Sequence, residues 1–204
     1  MAQRYDAASP DAPTLVLAHG AGAGETHPWM TRVATGLAAR GVSVVTFNFP
    51  YMNARRPAPD PPAVLERTWQ EIWTSVAPDA RGRVFAGGKS MGGRIASQAC
   101  ALGLLDPAPA GLVFFGYPLH PPGKPAQRRD KHLPKITVPM LFLHGARDTF
   151  GSPDEMRELV AGLRGADLEL IEDGDHSLVR PKRKDPQGQS VDHVLDVAAA
   201  WMTR

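Results

Sequence analysis

Short apolar runs alternate with helically spaced segments along the whole chain, and no other feature narrows the possible folds so far. The runs are TLVLAH (14–19), VSVVTFNF (42–49), RVFAG (83–87), GLVFFGY (111–117), PMLFLHG (139–145) and DLELIE (167–172). They are nearly continuous in apolar residues rather than strictly alternating, as parallel strands covered on both faces are. Between them, 28–40, 62–77, 91–105, 153–164 and 190–203 carry helical patterns. In the second of these, Leu65, Trp69, Ile72, Trp73 and Val76 share one face, which assigns both tryptophans to the core rather than to a ligand. The fourth opens with Ser152 as N-cap, Pro153 at the first helical position and acidic residues in the first turn. This alternation predicts a three-layer α/β sandwich with a mainly parallel sheet of about six to seven strands and right-handed crossovers. The length suits a single domain spanning 1–204, and no repeat or low-complexity segment interrupts it.

Such a sheet binds ligands beyond the carboxyl ends of its strands. The segments there are rich in glycine and polar residues: HGAGAG (19–24), NFPYMNARRPAPD (48–60), GGKSMGG (87–93), YPLHPPGKP (117–125), HGARDTFG (144–151) and EDGDHS (172–177). GGKSMGG admits two readings. Its "GKS" is the ending of a phosphate-binding P-loop, but that motif needs a glycine where Arg83 stands, and Val84, Phe85 and Ala86 run a strand through the place of the phosphate cradle. Gly88-Lys89-Ser90-Met91-Gly92 instead fits a G-x-S-x-G nucleophile elbow, with a strand before it and an apolar-rich helix after it. Gly88, Gly92 and Gly93 leave room for the strained backbone that such a serine adopts.

A serine hydroxyl attacks only when a base removes its proton, and that base must be a histidine held in one tautomer by an acid. After an elbow, the partners follow in the chain order serine, acid, histidine. Asp148, just past PMLFLHGAR, and His176, just past DLELIEDGD, have that order and lie at strand ends. Asp173 and Asp175 rival Asp148 by proximity to His176, but an orienting acid normally approaches from another strand. His19 and His144 lead into glycine turns and suit loop support, His193 falls on the last helix, and His27, His120 and His132 lack the chain-order relation. The oxyanion formed by attack needs hydrogen-bond donors. The Met91 N–H, at a helix start, is one candidate. HGAGAG supplies the second, with Ala21 the candidate and Gly22 the alternative.

With these residues in place, the chain resembles the α/β-hydrolases. It is similar over nearly its whole length to a small lidless group allied to testis-expressed hydrolase-like proteins and to the NSL chromatin-acetyltransferase-complex subunit, of dienelactone-hydrolase-like type. The matching segments are LAHGAGAG, FNFPYMNARRPAPD, GGKSMGGRIAS, FFGYPLHPPGKP, LFLHGARDTFG and GDHSL. The resemblance implies an α/β-hydrolase fold and a Ser90–His176–Asp148 triad. It implies no substrate, because the group also contains scaffold-like relatives.

Only about twenty residues, rich in proline and charge, separate Tyr117 from Val138, too few for a helical lid. The site is therefore expected to be open and shallow, suited to a small or exposed acyl substrate. Gly22, Tyr51, Asn53 and Lys89 are the candidate substrate contacts, although Pro50 equally allows a rigid turn at Tyr51 and Asn53. Arg128, Arg129, Lys131 and Lys135, then Arg180, Lys182, Arg183 and Lys184, with Arg55 and Arg56, flank the expected site. They read either as solvated loop charge or as a field that steers an anionic substrate or an acidic partner.

A net charge of +2 gives no sign of a nucleic-acid partner. The one cysteine, Cys100, excludes an internal disulfide and a multi-cysteine zinc site, and no metal or cofactor is expected. MAQRYDAASPDAP lacks the apolar core of a signal peptide, and no run reaches membrane-spanning length, so a cytoplasmic location is expected. The leading reading is a serine hydrolase of a carboxylic ester or thioester, and its alternative is a non-catalytic or weakly catalytic scaffold or interaction protein with the same fold. An acyltransferase or peptidase would use the same three side chains.

Overall fold

The computed structural model describes residues 2–204. Seven strands form one sheet: β1 (Gln3–Tyr5), β2 (Thr14–Ala18), β3 (Ser43–Phe47), β4 (Val84–Lys89), β5 (Leu112–Phe115), β6 (Met140–Gly145) and β7 (Ala166–Ile171). Their order is β1-β3-β2-β4-β5-β6-β7. β1 pairs antiparallel with β3, and every other neighbour is parallel. The helices are α1 (Pro28–Ala38), α2 (Pro50–Asn53), α3 (Pro62–Val76), α4 (Met91–Ala101), α5 (Pro153–Ala161) and α6 (Gln189–Thr203).

The sheet separates two apolar layers. Trp69 and Trp73 of α3, Ile95 and Ala96 of α4 and Met156 of α5 pack on one face, while Met30, Val33 and Leu37 of α1 and Val194, Leu195 and Trp201 of α6 pack on the other. β2 through β6 lie between these layers and are almost entirely buried, which is why their sequences carry no polar alternation. Ser152 and Glu155 form a capping box on α5, each side chain satisfying an amide that the helix leaves free. α4 stops at Ala101, four residues short of the expected 105, because the chain turns at Gly103, whose φ of +72° ends the helix. Two short elements lie outside the sequence expectations: edge strand β1 and the single turn α2. No helix is placed over 118–139, where the chain makes only turns and a short 3-10 segment at Leu133–Lys135. Among the described residues no helix is long and apolar enough to cross a membrane.

Between β2 and β4 the strand order reverses direction, and the segments following them diverge to leave a crevice. β2 leads into residues 19–24 and β4 into Ser90. The functional groups gather at this point.

Candidate active site

Ser90, between β4 and α4, has φ +51° and ψ −118°, a conformation that costs a non-glycine residue about 1–3 kcal/mol and persists only where its surroundings enforce it. The enforcement is steric. A Cβ on Gly88 would lie 2.5 Å from the Gly92 carbonyl carbon, and one on Gly92 would lie 2.5 Å from the Ala18 and His19 carbonyl oxygens. Glycines therefore let α4 start directly against β2 and β4, and the serine is thrust out at the bend.

His176 Nε2 lies 2.8 Å from Ser90 Oγ, and His176 Nδ1 lies 2.7 Å from Asp148 Oδ2. The carboxylate accepts from Nδ1–H, which leaves the Nε2 lone pair facing the serine hydroxyl. Asp148 Oδ1 accepts from the Phe150 N–H at 2.9 Å. The Asp148 side chain is fully buried, whereas His176 keeps 26% of its side chain exposed. Burial pushes the Asp148 carboxyl up, but its hydrogen bond to His176, the adjacent His176 and His144 rings and the Phe150 amide outweigh it and hold it below the usual carboxylate range. Phe150 stacks on the His176 ring with centroids 4.3 Å apart.

The segment after β2 faces the same serine. The Ala21 and Met91 amides have no hydrogen-bond acceptor among the described residues. His19 Nδ1 donates to the Gly20 carbonyl at 2.7 Å and its Nε2 accepts from the Phe49 N–H at 3.1 Å, which fixes the tautomer of a ring that burial keeps hard to protonate. His144 Nε2 donates to the Gly151 carbonyl at 2.8 Å. Both histidines hold loops, as their positions before glycine turns suggest.

These groups line a cleft of about 370 Å³, walled by Gly20 to Ala23, His27, Trp29, Met30, Lys89, Phe150 and Ser177 around Ser90 and His176. Of the four candidate substrate contacts, Gly22 and Lys89 line this cleft. Tyr51 and Asn53 do not. Tyr51 is fully buried on α2, its amide donates to Asp60 at 2.8 Å and its hydroxyl donates to the Ala21 carbonyl at 2.8 Å. Burial, with Asp60 nearby, pushes its phenol up to about 12. The helical turn begun by Pro50 aims this side chain into the protein, where it braces the loop behind Ala21 and does not line the cleft. Asn53 is exposed at the end of α2 and does not line the cleft.

Asp173 and Asp175 are engaged elsewhere. Asp173 pairs with Lys184, and Asp175 accepts from the Ser177 and Val179 amides at 2.7 and 3.1 Å. None of the basic-loop residues lines the cleft, and Arg128 and Arg56 are paired with Asp130 and Asp60. Trp29, Met30, His27 and Phe150 had no sequence signal beyond apolar or aromatic residues flanking the expected site. Among the described residues no three His, Cys, Asp or Glu side chains are grouped to hold a metal ion.

A family described as "Alpha/beta hydrolase domain" matches residues 11–203, so the chain belongs to the α/β-hydrolase family. Solved structures share the fold at low identity. An α/β serine hydrolase homologue from Coxiella burnetii matches with a TM-score of 0.74 at 14% identity, over 95% of this chain and 88% of its own. Dienelactone hydrolase from Anabaena variabilis matches at 0.73 and 18%, over 99% and 90%. A lidless α/β serine hydrolase from Xanthomonas campestris matches at 0.72 and 17%, over 96% and 86%.

Proposed function

We propose that the chain is a cytoplasmic serine hydrolase, acting as a single domain on a carboxylic ester or thioester with a small or exposed acyl group. The observation that carries this reading is the unbroken hydrogen-bonded series Ser90–His176–Asp148 at the floor of an open cleft. In this reading Ser90 Oγ attacks the acyl carbon while His176 Nε2 takes its proton. Negative charge grows on the carbonyl oxygen, and the Met91 and Ala21 amides receive it. Each such donor is worth about 10²–10³ in rate, and the N-terminus of α4 adds a favourable field. The intermediate collapses, the C–O or C–S bond breaks, and the imidazolium returns its proton to the leaving alcohol or thiol. Water then attacks the acyl-enzyme with His176 again as base, releasing the acid and Ser90.

Asp148 acts by orientation and charge. Fully buried and ionised, it keeps the proton of neutral His176 on Nδ1 and stabilises the imidazolium when that forms. The absence of a helix over 118–139 leaves the cleft open, which supports a small or exposed acyl group over a long chain that would need covering. One solved neighbour is the esterase domain of a Rhodothermus marinus protein, and another, Est1E from Butyrivibrio proteoclasticus, has ferulic acid bound, which makes small aromatic esters a sensible first panel.

Treatment with a fluorophosphonate and mapping of the adduct by mass spectrometry tests the reading. A label on Ser90, absent from Ser90→Ala, is expected. Folded protein left unlabelled would favour the scaffold alternative.

A further inference from the structure

Lys89 occupies the position just before the nucleophile, yet its side chain is half-buried and pairs with no carboxylate at bonding distance among the described residues. Its ammonium donates to the backbone carbonyl of His176 and lies over the Trp29 ring, 5.7 Å from the centroid. Trp29 Nε1 in turn donates to the carbonyl of the next residue, Ser177, at 2.9 Å. Two successive carbonyls of the loop that carries the base are therefore held, one from β4 and one from α1. We propose that Lys89 is a positioning residue, whose ammonium, together with Trp29, fixes the backbone of the His176 loop so that the imidazole meets Ser90. This inference rests on the hydrolase reading above and names a further residue for it.

His176 needs such a hold. It lies in residues 172–188, between β7 and α6, a stretch without helix or strand. Asp148 sets the ring's tautomer and direction, but a hydrogen bond to the ring leaves the backbone free to shift, and a shift of about 1 Å can cost about 10²-fold in rate. Asp175 shapes the turn from within by accepting the Ser177 and Val179 amides. Among the described residues, only Lys89 and Trp29 tie the carbonyls of the base and its neighbour to rigid elements.

The space is arranged for this contact. Gly116, at the end of β5, has φ +70°, and a Cβ there would lie 2.7 Å from the His176 carbonyl oxygen and 3.3 Å from Lys89 Nζ. Any side chain at 116 would press into the point where the two meet. Trp29 is itself seated edge-on against Phe115, with centroids 5.7 Å apart.

Burial opposes the charge. It pulls the Lys89 ammonium down to about 8, with Asp148 and Asp175 partly countering the effect. A methionine of similar length would fill the space with no charge to desolvate. The ammonium adds one thing methionine cannot, a charged donor to the His176 carbonyl. Nor does the charge serve the base electrostatically, because a nearby cation disfavours the imidazolium that attack creates. Position and electrostatics thus predict opposite signs when Lys89 is removed.

Compare wild type, Lys89→Met, Lys89→Arg and Trp29→Phe for fluorophosphonate labelling rate, p-nitrophenyl acetate kinetics and the NMR exchange rate of the His176 Nδ1 proton. Positioning predicts kcat and labelling about 10–100-fold lower in Lys89→Met, with KM within about three-fold, partial recovery in Lys89→Arg and faster exchange of the Nδ1 proton. Trp29→Phe, which keeps a ring but loses the bond to Ser177, should show a smaller loss of the same kind and serves if Lys89→Met fails to fold. Unchanged or faster labelling with an unchanged Nδ1 proton would overturn the inference. Should wild-type Ser90 not label at all, the hydrolase reading falls, and the proton-exchange comparison still decides whether Lys89 and Trp29 hold the loop.

Discussion

Among the described residues two serine–histidine pairs have nearly equal length, and they differ in setting, polarity and partners. Ser90 and His176 are 2.8 Å apart at the cleft, while Ser97 of α4 and His132 are 2.7 Å apart and do not line it. Ser97 sits within the helix, fully buried, and its hydroxyl donates to the Arg94 carbonyl one turn back at 2.7 Å. With its only proton so placed, it accepts from His132 Nε2–H, the reverse of the polarity that nucleophilic attack requires. No carboxylate hydrogen-bonds to His132 among the described residues, and burial, then Arg94, pulls its imidazole down to about 4. A short distance between these side-chain types therefore carries no chemistry alone. The strained bend, the open cleft and the acid behind the ring separate a candidate nucleophile from a structural contact.

The sharpest way to break this contrast is to remove each serine. Ser90→Ala and His176→Ala should each lower ester turnover by about 10⁴-fold or more, while Ser97→Ala should stay within about three-fold, measured with p-nitrophenyl acetate on folded protein. A large loss in Ser97→Ala would erase the distinction. Next in size is Asp148→Asn. It keeps the shape but no longer enforces the Nδ1–H tautomer, and should cost about 10³–10⁴ in kcat, with little change in melting temperature. His132 has no such acid, so no equivalent effect can be produced there.

Tyr51→Phe tests the surroundings rather than the pair. Its hydroxyl braces the Ala21 carbonyl, so its loss should loosen the amide expected to receive the oxyanion. A drop of about ten-fold in kcat with KM nearly constant is expected, below the full loss of a donor. A change confined to KM would mean that Tyr51 meets substrate after all.

These contrasts also explain what the sequence disclosed. The buried parallel strands were legible because burial on both faces writes itself as continuous apolar residues, as in Leu112–Phe115. β1 was not, since Gln3, Arg4 and Tyr5 form an edge strand specified by pairing with β3 and not by their own pattern. Likewise α2 spans only Pro50–Asn53, less than the window over which periodicity can be detected. At the site, Ser90 was readable because an elbow is local turn chemistry, and Asp148 and His176 because they follow strands in a fixed order. Side-chain direction was the weak point. Tyr51 sits in the right loop, but Asp60, nine residues on, anchors its backbone with the ring turned inward. The cleft walls Trp29 and Phe150 come from separate segments that only the folded sheet brings together.

The smallest expected effect concerns the second pair alone, and it lies in stability. Ser97→Ala removes the partner of His132 Nε2 in a part-buried setting, so a loss of about 1–3 kcal/mol is expected from urea unfolding. The pH dependence is more diagnostic. His132 is ordinarily half-protonated at 6.5, and in the folded chain only near 4. Between those values the unfolded chain binds a proton that the folded chain refuses, so stability falls as pH falls through this window and the contribution is intact above it. His19 and His144, also held down by burial, act with the same sign, but they remain in a His132→Gln variant and cancel in the comparison. Urea midpoints measured from pH 7 to pH 4 should therefore fall less steeply in His132→Gln than in wild type. Parallel curves would mean that His132 accepts a proton within the fold, as a catalytic base must, and the line drawn between the two pairs would have to move.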